Sequence, residues 1–417
     1  MFNQLFQLPK VSKRYLNAPF LEDRLRYLTH RAKQEMTRAV LREIAYYQLG
    51  IIKYLRLKNN NQIVTLKELE TAAKRWARHQ KERMKIKGVP CAESKIRFIS
   101  QAKRWLSFVG RLEIQKEPLL PTQVIEFIDY MRKEQNLSEK TISVRHFYLQ
   151  KFFNQTKEKP DRFLAHLTPA QLDAIQIQQL QVGIYSRGTI RLRGSILRIF
   201  FRYAERKGWC RPGLANSILS PRNYTQATLP LSPSWEDVQR LLKTTEGDHP
   251  SNIRDRAMIL LLAVYGLRAG EVRHLCIDDF DWEQRIFYLK RSKQRAIQQF
   301  PITQTVERAL LRYLKEVRPQ HSIYSEVFLT VKAPYRPPKS IFDNISLRWK
   351  SLKIGIKSYG PHSLRHACAT RLINQGVPLK IIADQLGHRN LDTTRIYAKV
   401  DLSTLREVAN FNMGGLL

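Results

Sequence analysis

Between Arg211 and Trp235 the chain holds Pro212, Gly213, Pro221, Pro230 and Pro233, and few residues that favour a helix. Proline fixes φ and has no amide hydrogen, so neither a helix nor a central strand runs through such a stretch. The chain must therefore fold as separate halves joined by an extended linker, placed at residues 216–233. Its 417 residues leave room for two to four domains at about 100 to 200 residues each.

Upstream of the linker the patterning is helical. Met36, Val40, Leu41, Ile44, Tyr47 and Ile51 recur at nearly the helical repeat within Glu35 to Tyr54, and Asn59, Asn60 and Asn61 end the pattern. A further helix is expected over 65–87, where Gly88 and Pro90 close a basic helical N-terminal extension at residues 1–90. Residues 91–215 read as a second helical region, with helices over 93–109, 122–133, 138–155, 169–181 and 187–207. Two of these are alike: TISVRHFYLQKFF at 141–153 and TIRLRGSILRIFF at 189–201 share six of thirteen positions at an offset of 48. Duplication and convergent packing explain this equally well. Aromatic residues at helical spacing, Trp105, Phe108, Phe152, Phe153, Phe200, Phe201 and Trp209, are expected in cores rather than stacked on bases.

Downstream, helices are expected over 234–243, 253–265 and 269–275, then strands over 285–290 and 297–302 about a polar turn holding Lys293. Helices over 362–374, 378–386, 392–399 and 402–408 follow. The fold class is mainly α, with an α+β C-terminal domain at residues 234–417 that ends in a short tail.

Charge narrows the partner. Lys and Arg number 72 against 36 Asp and Glu, a net +36, and residues 1–90, 91–230 and 231–417 carry excesses of +13, +12 and +11. So large a self-repelling excess in every part fits a polyanion that contacts all of them, double-stranded DNA first. Cys91, Cys210, Cys276 and Cys368 form no paired motif, so neither a disulfide framework nor a zinc ribbon is indicated. The longest apolar run, Ala257 to Tyr265, is far short of the roughly 20 residues of a membrane span. A reducing intracellular compartment is the expected setting, with no membrane partner.

The chemistry-bearing residues lie in the last domain. GPHSLRHACATRL at 360–372 sets Leu364, Ala367, Cys368 and Leu372 on an apolar face and leaves His362 and Arg365 one turn apart beside it. A guanidinium fork matches two non-bridging phosphate oxygens, and an imidazole can exchange a proton near neutral pH. LGHRNLDTTRIYAKV adds His388, after the helix-ending Gly387, and Tyr397 nine residues later. YGLRAGEV places Arg268 just past Gly266, and RSKQRAIQQFPI sets Lys293 at the hairpin turn.

In this order and setting, Arg268, Lys293, His362, Arg365, His388 and Tyr397 resemble the site of the tyrosine recombinases of the phage integrase family. The likeness is detailed over residues 230–410, and TIRLRGSILRIFFRYAERKGW more loosely resembles the last helix of that family's SAM-like core-binding domain. The resemblance implies a cofactor-independent DNA strand transferase. Tyr397 would take a 3′-phosphate covalently, Arg268 and Arg365 would hold the phosphate, and Lys293 would protonate the leaving 5′-oxygen. His362 would act as acid and base near the tyrosine, and His388 would donate a hydrogen bond to the phosphate. It further implies a homo-tetramer on paired DNA sites, with related recombinases of one element as further partners, and integration, excision or transposition of a mobile element as the role. Other readings stay open. A relaxing topoisomerase would use a similar tyrosine, and a regulator could keep the fold without the chemistry. A zinc site from His362, His366, Cys368 and His388 is disfavoured, because paired cysteines and an HExxH glutamate are lacking. Glu271 is expected to buttress Arg268 or its backbone.

Overall fold

The computed structural model describes residues 1–58, 62–84, 91–113, 121–154, 160–181, 185–218, 232–291, 296–355, 359–388, 390 and 392–398. Helices dominate, and a small antiparallel sheet lies in the C-terminal part, as the patterning predicts. No helix among the described residues is long and apolar enough to cross a membrane. By internal packing, residues 114–227 form one unit, and residues 1–113 with 228–417 form the other.

The first 113 residues hold helices α1 (Phe2–Leu5), α2 (Pro9–Leu16), α3 (Leu21–Ala32), α4 (Arg38–Leu55), α5 (Leu66–Met84) and α6 (Cys91–Phe108). Helix α4 starts later than its periodicity suggests, because Glu35 is left-handed at φ 57° and the Thr37 hydroxyl accepts the Val40 N–H at 3.4 Å. Leu28, Ile44, Leu69, Trp76, Phe98 and Trp105 share one core. The division expected at residue 90 therefore falls inside a core, and α6 packs with the helices before it. Trp76 is the reason: its ring lies 5.3 Å from that of Phe98 and against Gly50, where a Cβ would collide with it. Gly88 and Pro90 are a local stop signal, and such a signal does not say whether the next helix returns to the same core.

The second unit holds α7 (Thr122–Lys133), α8 (Glu139–Phe153), α9 (Pro160–His166), α10 (Pro169–Gln181), α11 (Arg187–Arg206) and α12 (Leu214–Ser217). The two similar sequences are α8 and α11, and they also start alike. Ser138 caps the Thr141 N–H at 3.3 Å and Ser186 caps the Thr189 N–H at 3.2 Å. Phe152, Phe153, Phe200 and Phe201 are buried, with Phe153 and Phe200 edge to face at 5.6 Å and Phe152 and Phe201 at 6.0 Å. The aromatic pairs at the ends of the two helices thus interlock as core, and Trp105 is likewise buried.

The remaining helices are α13 (Trp235–Lys243), α14 (Pro250–Val264), α15 (Ala269–His274), α16 (Gln304–Glu316), α17 (Phe342–Ser351), α18 (Pro361–Asn374), α19 (Leu379–Leu386) and α20 (Asp392–Ala398). Ser234 and Asp237 cap α13 reciprocally. Helix α14 is buried on nearly every side and packs against α16 and α18. Strands β1 (Phe280–Asp281), β2 (Ile286–Arg291) and β3 (Ala296–Pro301) pair in that order, with Phe287 opposite both Phe280 and Phe300. These three rings stack at 5.2–5.4 Å on the core face. Strand β2 begins one residue later than expected, after Arg285 at φ 54°, and its alternation carries Arg291 inward with Phe287 and Leu289. The tail beyond residue 398, the helix expected at 402–408 and most of the linker lie outside the described residues.

Candidate active site

The site is built around the carboxyl end of α19. A helix leaves its last carbonyls without intrahelical partners, and its dipole is negative there, so cations gather at this end. Three arginines do so here. Arg291 donates through Nη2 to Gln385 O at 2.6 Å and through Nη1 to Leu386 O at 2.7 Å. Arg365 donates through Nη2 to Leu386 O at 2.5 Å and through Nη1 to Gly266 O at 2.6 Å. Arg268 donates through Nη2 to Gly387 O at 2.7 Å.

Two glycines permit this approach. Gly387 ends α19 at φ 63°, and a Cβ there would lie inside the guanidinium of Arg291. Gly266, at φ 64°, follows α14, and a Cβ there would strike the Leu386 side chain. Both positions favour glycine for backbone conformation and for space. Glu271 completes the frame: its Oε2 accepts the Arg268 N–H at 2.8 Å, and its Oε1 accepts Arg268 Nη1 at 2.7 Å and Arg291 Nη1 at 3.4 Å. One carboxylate thus fixes both the start of α15 and the Arg268 side chain, the buttress expected of it.

Arg365 is 4% exposed, and burial, followed by the nearby charge of Arg268, pushes its pKa down to about 10. It stays cationic at neutral pH. A guanidinium has five N–H donors, so bonding one carbonyl from each Nη fixes its plane and leaves further donors for an anion. Arg268 is half-buried, and its side chain reaches the solvent beside this plane.

His388 follows Gly387, and its Nδ1 lies 2.7 Å from the hydroxyl of buried Thr394 on α20. When Thr394 donates this bond, the neutral ring carries its proton on Nε2 and presents it outward. Burial, then Arg365, Arg268, Arg291 and His366, push the His388 pKa down to about 4. Partial desolvation and the charges of Arg365 and Arg268 lower that of His362, which sits at the exposed start of α18. Tyr397 is 2% exposed among Ala369, Ile373, Ile382 and Leu386, and burial raises its pKa to about 12, against the opposing pull of Arg365. Its Oη lies 2.7 Å from Nδ1 of His366.

The depressed histidines give a pH prediction. Unfolded histidine titrates near about pH 6.5, so below that pH the unfolded chain binds protons that the folded site refuses. Stability should fall as pH drops through the window from 6.5 toward the folded His388 value of about 4. Urea melts at either end of this window should show the loss, and His388→Asn should reduce it.

Of the residues expected from sequence, Arg268, His362, His388 and Tyr397 are each within electrostatic reach of Arg365, whereas Lys293 lies outside the described residues. The imidazole bonded to the phenol belongs to His366, one turn beyond His362. Arg291 does not stand out in the sequence as part of this cluster, and His366 does so only in the disfavoured zinc set, not as a partner of the tyrosine. The only signals are that His366 follows Arg365 directly and that Arg291 falls on the inward alternation of its strand.

Comparisons with known proteins bear on the family and the fold. Residues 234–403 match the sequence profile of the phage integrase family. Tyrosine recombinase XerA of Pyrococcus furiosus is 30% identical over 296 residues, which are 70% of this chain and 94% of that protein. A Sinorhizobium fredii protein that carries an integrase/recombinase name, y4rF, is 32% identical over 294 residues, 68% of this chain and 67% of that one. Among solved structures, the XerH site-specific recombinase in a post-cleavage complex with its palindromic difH substrate superposes with a TM-score of 0.55 at 17% identity. That match covers 85% of this chain and 97% of XerH, and it speaks to the fold.

Proposed function

The chain belongs to the phage integrase family of tyrosine recombinases, and from that premise we propose that it cuts and rejoins duplex DNA through a 3′-phosphate link to Tyr397, for the movement of a mobile element. The observation that carries the reading is the convergence of Arg268 and Arg365 on one helix end, with the Tyr397 phenol near enough for Arg365 to oppose the rise that burial gives its pKa.

The chemistry follows from these groups. A phosphodiester brought to the arginines places its non-bridging oxygens on the free N–H donors of Arg365 and on Arg268. These donors are fixed in advance by carbonyls and by Glu271, so they stabilise the added charge of the pentavalent transition state without reorganising. His388, neutral at pH 7, adds a hydrogen bond to the phosphate, and so does His362, likewise neutral, in place of the acid and base role implied by the resemblance, because the phenol is bonded to His366 instead. Lys293, which lies in sequence between β2 and β3, protonates the 5′-oxygen as it leaves. The phosphotyrosine stores the energy of the broken bond, so the 5′-hydroxyl of another strand reseals it with no cofactor consumed.

The basic charge spread over all parts of the chain supports a multidomain grip on duplex DNA, with the unit at residues 114–227, rather than all of 91–215, as the core-binding region and residues 234–417 as the catalytic domain. Four protomers on paired sites, alone or with related recombinases, make the exchange. The integrase/recombinase name carried by y4rF and the long basic N-terminal region favour a mobile-element role.

The test needs no knowledge of the site. Cells expressing the protein are lysed in denaturant, and DNA that remains covalently attached is sequenced. Recurrent sites joined through 3′-phosphates are expected, and two copies of a recovered site on a plasmid should recombine. Relaxation without exchange would assign a topoisomerase, and no adduct even on nicked DNA would overturn the reading.

A further inference from the structure

We propose that His366 is a catalytic residue whose Nδ1 accepts the Tyr397 proton as the phenol oxygen attacks phosphorus. This deepens the reading of Tyr397 as the nucleophile and rests on it.

The first argument is geometric. Tyr397 Oη and His366 Nδ1 are 2.7 Å apart, and the two ring centroids are 5.5 Å apart. The phenol is 2% exposed, so bulk water is a poor acceptor for its proton. His366 is held in place because its neighbour Arg365 is tied to Gly266 O and Leu386 O on two other segments. The acceptor therefore comes with the same helix turn that carries the phosphate-binding guanidinium.

The second argument is electrostatic. His366 faces His362 and Arg365 on its own helix, His388 at the end of α19, and Tyr397 on α20. Burial first, then His362 and Arg365, lower its pKa, so at neutral pH the ring is uncharged, and in the tautomer that carries its proton on Nε2 the Nδ1 lone pair accepts from the phenol. The raised pKa of Tyr397 makes a free phenolate inaccessible before the attack. The proton must therefore leave while the new bond forms, when the phenolic oxygen becomes an ester oxygen and its proton turns strongly acidic. An acceptor already in hydrogen-bond contact at that instant is the requirement for general-base catalysis.

The step balances. The Tyr397 Oη to phosphorus bond forms and the phosphorus to 5′-oxygen bond breaks. The phenol proton passes to His366, and the 5′-oxygen takes its proton from Lys293. The imidazolium so formed lies beside the anionic phosphate. In resealing, His366 returns the proton to the departing tyrosine.

The decisive variant is His366→Asn, because an asparagine Oδ1 can accept the phenol hydrogen bond where Nδ1 does but cannot take up the proton. Cleavage of a nicked duplex bearing a site recovered from the wild-type adducts is followed in a single turnover. A general base contributes about 10² to 10⁴ in rate, so a loss in that range is expected with DNA binding and melting temperature unchanged. Replacing Tyr397 by a fluorinated tyrosine of lower phenol pKa should then restore much of the lost rate in His366→Asn, and far less in the wild type. Cleavage by His366→Asn within about threefold of wild type would overturn the proposal and leave a positioning role. So would a fluorotyrosine effect equal in both backgrounds. If Tyr397→Phe retained full adduct formation, the nucleophile assignment itself would fail and this proposal with it.

Discussion

Tyr397→Phe should abolish covalent DNA adducts and strand exchange while leaving DNA binding and fold close to wild type. The phenol ring sits in a small apolar pocket of Ala369, Ile373, Ile382 and Leu386, and a phenyl ring fills the same space. What is lost is one hydrogen bond to His366, with a net worth of about 0.5–1.5 kcal/mol. His366 is only partly buried, so water can take over its freed nitrogen. On the chemical side the loss is complete, because covalent catalysis needs the oxygen that becomes the ester and phenylalanine has none. Nicked DNA resolved on a denaturing gel should show adduct for wild type and background for the variant, and a gel-shift assay should give near-equal affinities. Persistent adduct in Tyr397→Phe would mean that another nucleophile does the work.

The sequence showed which local elements carry the chemistry, because each is marked by short-range signals. A glycine break precedes Arg268, a glycine stop precedes His388, and an apolar helix face sets Arg365 apart from its neighbours. These signals do not tell where a side chain goes once distant segments meet. Arg291 looks like the charged end of a surface strand, yet it is buried because Gln385 and Leu386, more than ninety residues away, offer it two carbonyls. His366 reads as a helix residue with no special neighbour until α20 brings Tyr397 against it. The same limit explains α6, whose sequence fits a helix of the second region but whose Phe98 is claimed by Trp76. Helix α17 gives a weaker local signal, because Ile341 offers no side-chain cap at its start.

Arg365→Ala and Arg365→Lys should separate two duties of one side chain. Toward the fold, Arg365 holds Gly266 O and Leu386 O, and charge-assisted hydrogen bonds are worth about 1.5–3 kcal/mol each. Part of this is offset in Arg365→Ala, because a buried cation beside Arg268 and Arg291 disappears and Leu386 O keeps its bond from Arg291. The net loss of stability should therefore be modest, on the order of one hydrogen bond. Toward the reaction no such offset exists. Removing one fixed donor to a developing oxyanion costs about 10² to 10³ in rate, and Arg365 presents more than one. Single-turnover cleavage by Arg365→Ala should fall by at least that much, while urea melts move little. In Arg365→Lys the charge remains, but an ammonium cannot span two carbonyls and a phosphate in one plane. Its rate should stay within about tenfold of Arg365→Ala rather than of wild type. Near-wild-type cleavage by Arg365→Lys would show that charge alone acts on the phosphate, and that the carbonyl frame at the end of α19 serves only the fold.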